Sequence, residues 1–471
     1  MRRRERADTD DIDTIAAIAT AAGGGVGIIR VSGPEAISLL KSCFHPAHGG
    51  RDTVPGALMR LGRFVAASDS PRPEAVLDEG LAVAFHAPRS LTGEDVVEFH
   101  LHGGALHLAT CLEALLDAGR TLAPGRVRLA RPGEFLERAF LAGKLDLTRA
   151  EAIADLITAR STRALSMARH HLAGALQGAI SELREALLMA VAELEAHIDF
   201  VDEGLPHLDR ARFDGILSET VAAVSRLLAT TRLGTALREG AKVALVGAPN
   251  AGKSSLFNAL VGAERAIVSP VPGTTRDTLR EHATIGGIPV LLCDTAGLRA
   301  TDDPVEAIGV ARAEATLAEA DVILHVVGFD VKTGAWPAPE LRGPEGVPIV
   351  LALTKADLTH DDTPGLATGV RVSARTSVGL DAVADALAAA LGSAADEGLL
   401  IGRARHREAL VTTADAVGEA RALLADPATA TLLELPAFEL HEAIAALGSI
   451  LGATTIEDVL DRVFSTFCIG K

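Results

Sequence analysis

The chain has 471 residues, too long for one ordinary domain, and its 48 % hydrophobic content can fill about two to four cores. A formal net charge of −17, with 3 % aromatic residues, one Trp and no Tyr, excludes a broad electrostatic footprint for nucleic acid and leaves little for base-stacking platforms. Four widely separated cysteines (Cys43, Cys111, Cys293, Cys468) suit a reducing, cytoplasmic setting without disulfides or a zinc site, and the absence of a run of about 18 apolar residues excludes a membrane-spanning helix.

The basic start, Met1 to Arg6, runs directly into Asp8-Thr9-Asp10-Asp11, which fits neither a secretory leader nor a transit peptide. Short β-like runs follow at Thr14–Ala19, Val26–Val31, Leu58–Ala66, Gly80–Phe85 and Val96–Leu101, with helices at Pro34–Cys43 and Ala105–Asp117. Joined by Gly and Pro turns, they predict a small α/β domain over residues 1–127. His100 and His102 share a strand face, but without an acidic or Cys ligand at metal spacing they read as ordinary strand residues.

At Thr148-Arg149-Ala150-Glu151 the sequence spells a capping box. Ile153, Leu156, Leu165, Ala168, Leu172, Leu176, Ile180, Leu183, Leu187, Val191, Leu194 and Ile198 then recur mostly three or four apart, predicting long amphipathic helix with a break near Gly174 or Gly178. Helical patterning resumes at Arg403–Ala425 and through Leu440, Ile444, Leu447 and Leu451. No segment has a complete core of its own. The economical reading is one all-helical domain, 128–237 plus 397–471, interrupted by an insert at 238–396; breaks at Gly and Pro count against a plain coiled coil.

The insert carries the chemistry. Val243–Val246 reads as a buried strand, Gly247 to Ser254 spells G-x-x-x-x-G-K-S, and Ser255-Leu256-Phe257 opens a helix. Glycines let the backbone approach a phosphate, loop N–H groups point inward, and the helix N-terminus adds a positive dipole. Asn250, Ala251, Gly252 and Ser255 complete this cradle; Lys253 reaches the β- and γ-phosphates, and Ser254 ligates Mg²⁺. Gly273-Thr274-Thr275-Arg276-Asp277 follows where a first switch would lie, with Thr275 as the second hydroxyl ligand for Mg²⁺. Leu291 to Gly297 is a strand running into Asp294-Thr295-Ala296-Gly297, the Asp for the metal shell and the Gly N–H for the γ-phosphate. Thr354-Lys355-Ala356-Asp357 ends another strand, and the Asp357 carboxylate can accept from both N1–H and N2–H of guanine, an edge adenine lacks. Ser373 and Ala374 close the purine pocket. Five motifs in this order on strand ends define a GTPase. Two departures stand out: Thr354 replaces the usual Asn, and Leu298 occupies the place of the Gln that orients the attacking water in Ras-like proteins.

The chain ends Phe467-Cys468-Ile469-Gly470-Lys471. Its terminal Lys fits a prenylation box poorly, and a free thiol held against some site is the better reading. Together with Gly25 to Gly33, Thr92 to Glu98, Ala130-Arg131-Pro132-Gly133-Glu134-Phe135 and Lys144-Leu145-Asp146-Leu147, this ending resembles the MnmE (TrmE) family of tRNA-modification GTPases over nearly the whole chain. The resemblance implies an α/β P-loop GTPase domain inserted in an all-helical domain and preceded by a small α/β N-terminal domain. It implies a homodimer that works with a partner carrying FAD, in a heterotetramer, to install an aminomethyl-type group at C5 of the wobble uridine of certain tRNAs. The N-terminal domain would bind 5-formyl-tetrahydrofolate or a related folate, with contacts on Arg30, Glu98, Lys144 and Lys471, and Cys468 as a candidate catalytic thiol. The loop Ala21-Ala22-Gly23-Gly24-Gly25 departs from the family's pattern. Hydrolysis would be activated by G-domain dimerisation with K⁺ in place of an arginine finger. Asn250 and the loop Ser269-Pro270-Val271-Pro272, with Thr274, would hold the ion, and Glu306 would orient the water. The alternative is an Era-like ribosome-assembly switch, which needs a basic RNA-binding appendage that the flanks lack; a membrane-anchored signalling GTPase would rest on Cys468 alone.

Overall fold

The computed structural model describes residues 13–470 apart from 22, 49–57, 67–75, 200–207, 264–279, 295–315, 340–342, 360–362, 364, 367, 393–398, 430, 454–459, 461–462, 466 and 468–469. The chain divides into two compact units, Met1–Glu151 with Thr454–Lys471, and Ala152–Ala453. Residues 454–471, which the sequence reading carries with the helical domain, thus group with the N-terminal sheet.

In the first unit the chain forms β1 (Thr14–Ile18), β2 (Val26–Ser32), α1 (Ala36–Cys43), β3 (Phe44–Pro46), β4 (Arg60–Val65), β5 (Val76–Phe85), β6 (Val96–His102), α2 (Ala105–Leu122), β7 (Val127–Leu129) and α3 (Glu134–Leu141). The sheet order is β3-β4-β5-β6-β2-β1-β7, antiparallel except where β7 lies parallel to β1. Alternation puts Ile29, Val31, Ala82, Ala84, Val97 and Phe99 in a core with Leu39 of α1 and Leu108 and Leu115 of α2. The Phe64 and Phe99 rings meet edge to face, 5.2 Å apart. Strand β5 starts four residues before the expected Gly80. That glycine is no strand boundary but a close approach, since a Cβ there would lie 2.3 Å from the His100 carbonyl oxygen of β6.

Helix α3 is fixed by an ion-pair network. Glu134, 3 % exposed at its side chain, accepts from Arg128 at 2.6 Å, from the Arg131 backbone N–H at 2.7 Å and from Arg138 at 3.2 Å. Burial alone would raise the Glu134 carboxyl, but the hydrogen bonds from Arg128, Arg131 and Arg138 and the Arg128 charge outweigh it and hold it at about 2. The chain terminus returns here: a Cβ on Gly133 would fall 2.5 Å from the Phe464 carbonyl oxygen, and one on Gly470 would fall 2.2 Å from that of Ile18. Phe464 packs against Phe140 and Phe467.

The second unit runs through α4 (Leu147–Thr158), α5 (Thr162–Leu172), α6 (Ala175–Asp199), α7 (Arg210–Ala229) and α8 (Thr231–Glu239) into β8 (Ala241–Val246), α9 (Lys253–Ala263), β9 (Arg280–Ile285), β10 (Ile288–Asp294), β11 (Val322–Gly328), β12 (Ile349–Thr354), β13 (Val370–Arg371) and α10 (Leu380–Leu391). It returns through α11 (Ala404–Ala425) and α12 (Glu434–Leu451). The capping box does not start α4: Asp146 caps it, accepting from the Arg149 N–H at 3.0 Å and from the Thr148 hydroxyl, so Thr148 lies inside the helix. Gly174, at φ 96°, separates α5 from α6, whereas Gly178 continues within α6.

Helices from both sides of the insert build one core, with Ile180, Leu187 and Leu194 of α6 and Leu217 and Val224 of α7 packed with Leu410 and Val417 of α11 and Leu440 and Leu447 of α12. The insert is a sheet of order β13-β12-β11-β8-β10-β9, parallel except for β9 on β10. Its two chain crossings are tied together: the Ile401 N–H donates to the Thr230 hydroxyl at 3.0 Å, and Asp155 accepts from Arg238 at 3.2 Å and Arg403 at 2.7 Å.

The candidate nucleotide site and a second polar site

At the carboxyl end of β8 the loop turns sharply into α9. Gly247, at φ 155°, leaves no room for a side chain, since a Cβ would stand 2.1 Å from the Val326 carbonyl oxygen. Asn250 adopts a left-handed conformation (φ 59°), as does Gly252 (φ 97°), which orients successive N–H groups around the loop. The Lys253 Nζ, buried beneath this loop, donates to the Gly247 and Ala248 carbonyls at 2.8 and 2.9 Å. The lysine is therefore held where a β- or γ-phosphate would replace those carbonyls. Ser254 Oγ, in the first turn of α9, lies 3.4 Å from the Asp294 carboxylate at the end of β10. A hydroxyl and a carboxylate at that separation are the hard oxygen donors Mg²⁺ takes, so this pair fits the ion.

On the other side of the P-loop, the Thr354 hydroxyl donates to the Ala251 carbonyl, tying the end of β12 to the phosphate loop. Lys355 follows at φ 60°. Asp357 accepts from the Ser373 hydroxyl at 2.8 Å, so the expected base-recognition carboxylate and the expected pocket-closing residue are in contact. Ala374 follows Ser373, and Ala251 and Ser255 stand in the loop and the first turn of α9. An open cavity of about 750 Å³, within the range of small-molecule sites, is lined by Gly247 to Ala251, Phe329 and Lys355. His325, buried in its wall, has its titration pushed down by burial; its strand position carried no motif that sequence could flag. The remaining expected residues, Ser269, Pro270, Val271, Pro272, Gly273, Thr274, Thr275, Thr295, Ala296, Gly297, Glu306, Cys468 and Lys471, lie outside the described residues.

A second polar group sits on the sheet face of the first unit opposite its core. Arg30 of β2 donates to Glu98 of β6 at 2.9 Å and to the Gly470 carbonyl at 3.3 Å, and its guanidinium stands 5.7 Å over the Phe135 ring. His100 Nε2 is 3.3 Å from the other Glu98 oxygen. The described side-chain contacts of Lys144 are with the 88–93 loop, where its Nζ donates to the Pro88 carbonyl, and not with the Arg30–Glu98 pair. A half-buried guanidinium beside a carboxylate is a donor set that fits a folate, whose ends are anionic and amino-bearing.

Sequence reasoning missed Asp78. It pairs with His102 at 2.7 Å and His107 at 2.9 Å, in the part of β5 before Gly80 that showed no strand pattern. Burial would raise the Asp78 carboxyl, but the His102 backbone N–H and the two imidazoles outweigh it and hold it below the usual range. The two strand histidines thus serve different carboxylates, and among the described residues no group of three or more metal-type side chains is arranged to hold an ion.

A parallel sheet with a glycine loop, a buried lysine, a Ser–Asp pair and a guanine-type recognition loop at its strand ends defines a P-loop GTPase. Family models described as "MnmE helical domain" and "GTP-binding protein TrmE N-terminus" match residues 147–468 and 14–144. The chain is 44 % identical to a tRNA modification GTPase MnmE of Chloroflexus aurantiacus over 472 residues, covering 98 % of this chain and 100 % of the relative. It is also 44 % identical to one of Parasynechococcus marenigrum over 469 residues, covering 98 % and 99 %. Among solved structures, an Era variant of Aquifex aeolicus is 26 % identical over 37 % of this chain and 66 % of its own, with a TM-score of 0.25. The chain belongs to the MnmE (TrmE) family of tRNA-modification GTPases. Among the described residues no helix is long and apolar enough to cross a membrane.

Proposed function

We propose that this protein is a cytoplasmic GTP hydrolase that works as a homodimer with an FAD-carrying partner, modifying C5 of the wobble uridine of certain tRNAs with an aminomethyl-type group. The observation that carries the reading is the Arg30–Glu98 pair with the Gly470 carbonyl on Arg30, which brings the end of the chain to the sheet face where a one-carbon donor would bind. Folate contacts would fall on Arg30, Glu98, Lys144 and Lys471, with Cys468 as the candidate catalytic thiol. The family models match residues 14–144 before the G domain and 147–468 through and beyond it, whereas an Era-like switch would need a different, basic appendage.

Hydrolysis follows from the nucleotide site. Lys253 would leave the Gly247 and Ala248 carbonyls for the β- and γ-phosphates, and Asp357 would accept from the guanine edge. Ser254 and Thr275 would hold Mg²⁺, with Asp294 in its outer shell; when bound, the ion neutralises charge developing on the phosphate oxygens. Asn250, with carbonyls of 269–272 and Thr274, would hold K⁺ as the stand-in for an arginine finger. Leu298 cannot orient water, and by the resemblance to the family Glu306 would take that role. The test is nucleoside analysis of tRNA from cells lacking this protein. Loss of the C5 group at wobble uridines, restored by the intact gene, is expected, and unchanged wobble uridines would overturn the proposal.

A further inference from the structure

The base-recognition loop rests on a support that none of the nucleotide motifs contains. Between β11 and β12 the chain doubles back, with the Asp330 N–H donating to the Ala335 carbonyl at 3.0 Å, and delivers Trp336 beneath the end of β12. Trp336 is the chain's one tryptophan. It is 5 % exposed, and its indole N–H donates to the Thr354 carbonyl at 3.0 Å in a buried contact. Its ring meets Phe329 edge to face at 5.1 Å, and the Arg371 guanidinium stands 5.4 Å from the ring centroid.

Each of these neighbours leads to a part of the nucleotide site. Thr354 opens the Thr-Lys-Ala-Asp loop, and its hydroxyl is already engaged by the Ala251 carbonyl of the P-loop. Its own carbonyl accepts from both Trp336 and the Phe329 N–H, the latter at 3.2 Å. Arg371 ends β13, two residues before the Ser373 that holds Asp357. An Asn at position 354 would bring a second donor to brace this loop, and Thr brings one. The indole N–H supplies the missing brace from the opposite side of the backbone.

We propose that Trp336 is the positioning residue of the guanine-recognition loop, setting the height of Thr354 against the P-loop and, through Arg371, the placement of the Ser373 end of the pocket. The inference rests on the reading of Asp357 as the base-recognition carboxylate. Inosine nucleotides lack the 2-amino group that Asp357 would accept from, so the ratio of GDP to IDP affinity reports how well that carboxylate is aimed.

The experiment measures Kd for GDP, IDP and XDP calorimetrically on the full chain, with thermal melts alongside, for the parent, Trp336→Phe, Ile285→Ala and Asp357→Asn. Trp336→Phe keeps an aromatic ring and removes the indole N–H together with the volume of the second ring. It should weaken GDP about fivefold, the worth of one buried hydrogen bond, and weaken IDP less, so the ratio falls. Ile285→Ala, a buried position in β9 at the opposite edge of the sheet from β13, loosens packing away from the cavity and should lower the melting temperature and leave the ratio alone. A Trp336→Phe protein with lowered melting temperature and an unchanged GDP-to-IDP ratio would overturn the inference and leave the Asp357 reading standing. An Asp357→Asn protein that prefers GDP over XDP as the parent does would instead remove the reading beneath it.

Discussion

The two polar sites of this molecule use the chain in opposite ways. In the G domain the described nucleotide residues lie just past the ends of a few strands, β8 above all, so a stretch of a few residues carries much of the geometry and the chemistry: Lys253 reaches carbonyls only five and six positions back. On the N-terminal sheet, Arg30 meets Glu98 across 68 positions and Gly470 across 440. The first site is written locally because a phosphate is bound chiefly by backbone, and backbone shape follows from glycines at fixed spacing. The second is written in strand register and in the return of the terminus, so its residues look like isolated charges until the sheet brings them together.

If that contrast is right, the two sites should fail separately. The largest effect belongs to hydrolysis. Turnover in Na⁺ should fall below that in K⁺ by a factor approaching the roughly 10³–10⁵ worth of an arginine finger, with steep dependence on protein concentration, and Asn250→Ala should abolish the difference. Glu306→Ala should slow turnover roughly 10²-fold or more with GTP affinity unchanged, the range for a lost water-positioning group. Steady-state assays in the two salts check both, and equal rates in Na⁺ and K⁺ for the parent would end the ion-finger account.

Removing Cys468–Lys471 should abolish tRNA modification while GTP hydrolysis continues nearly at the parent rate. Parallel loss of both activities would mean that the sites are not separable. Asp357→Asn is the smaller, sharper cut at the nucleotide side: GTP affinity should drop about 10- to 10²-fold as an acceptor is replaced by a donor, with xanthine nucleotides gaining. Competition binding reads this directly.

The smallest effect tests the scaffold that both readings take for granted. Glu134→Gln should cost about 2 kcal/mol at pH 7, less than the full loss of a buried pair because Asp13 and Glu94 still face Arg128 and Arg138. Folding lowers the Glu134 carboxyl from 4.5 to about 2, so its contribution is complete above pH 4.5 and fades as the pH falls toward 2. Urea melts of parent and variant should therefore converge across that interval; a gap that stays constant would assign the network no electrostatic role.

Particular residues show why some of the fold could be read and some could not. The P-loop, the order of motifs along the insert and the amphipathic helices on either side rest on periodicity and spacing, which the sequence displays. Gly80 misled because a glycine that ends a strand and one that admits a neighbouring backbone look alike in one dimension. Thr148 misled because Asp146, two residues earlier, offered a cap of equal chemistry. Asp78 and Trp336 were invisible for a deeper reason, since each acts on a partner that only strand pairing or a doubled-back loop supplies.

The tie between Thr230 and Ile401 spans 171 positions, and it has a consequence for how the protein is made. At synthesis rates of about 5–20 residues per second, α6 and α7 wait roughly 10–45 s before α11 and α12 both exist to cover them. During that interval Leu187, Leu194, Leu217 and Val224 lack the part of their core that α11 and α12 supply, while the inserted sheet is being completed. The order of completion thus differs from the order of synthesis: every strand of the insert exists before the helical core that precedes it has all of its helices.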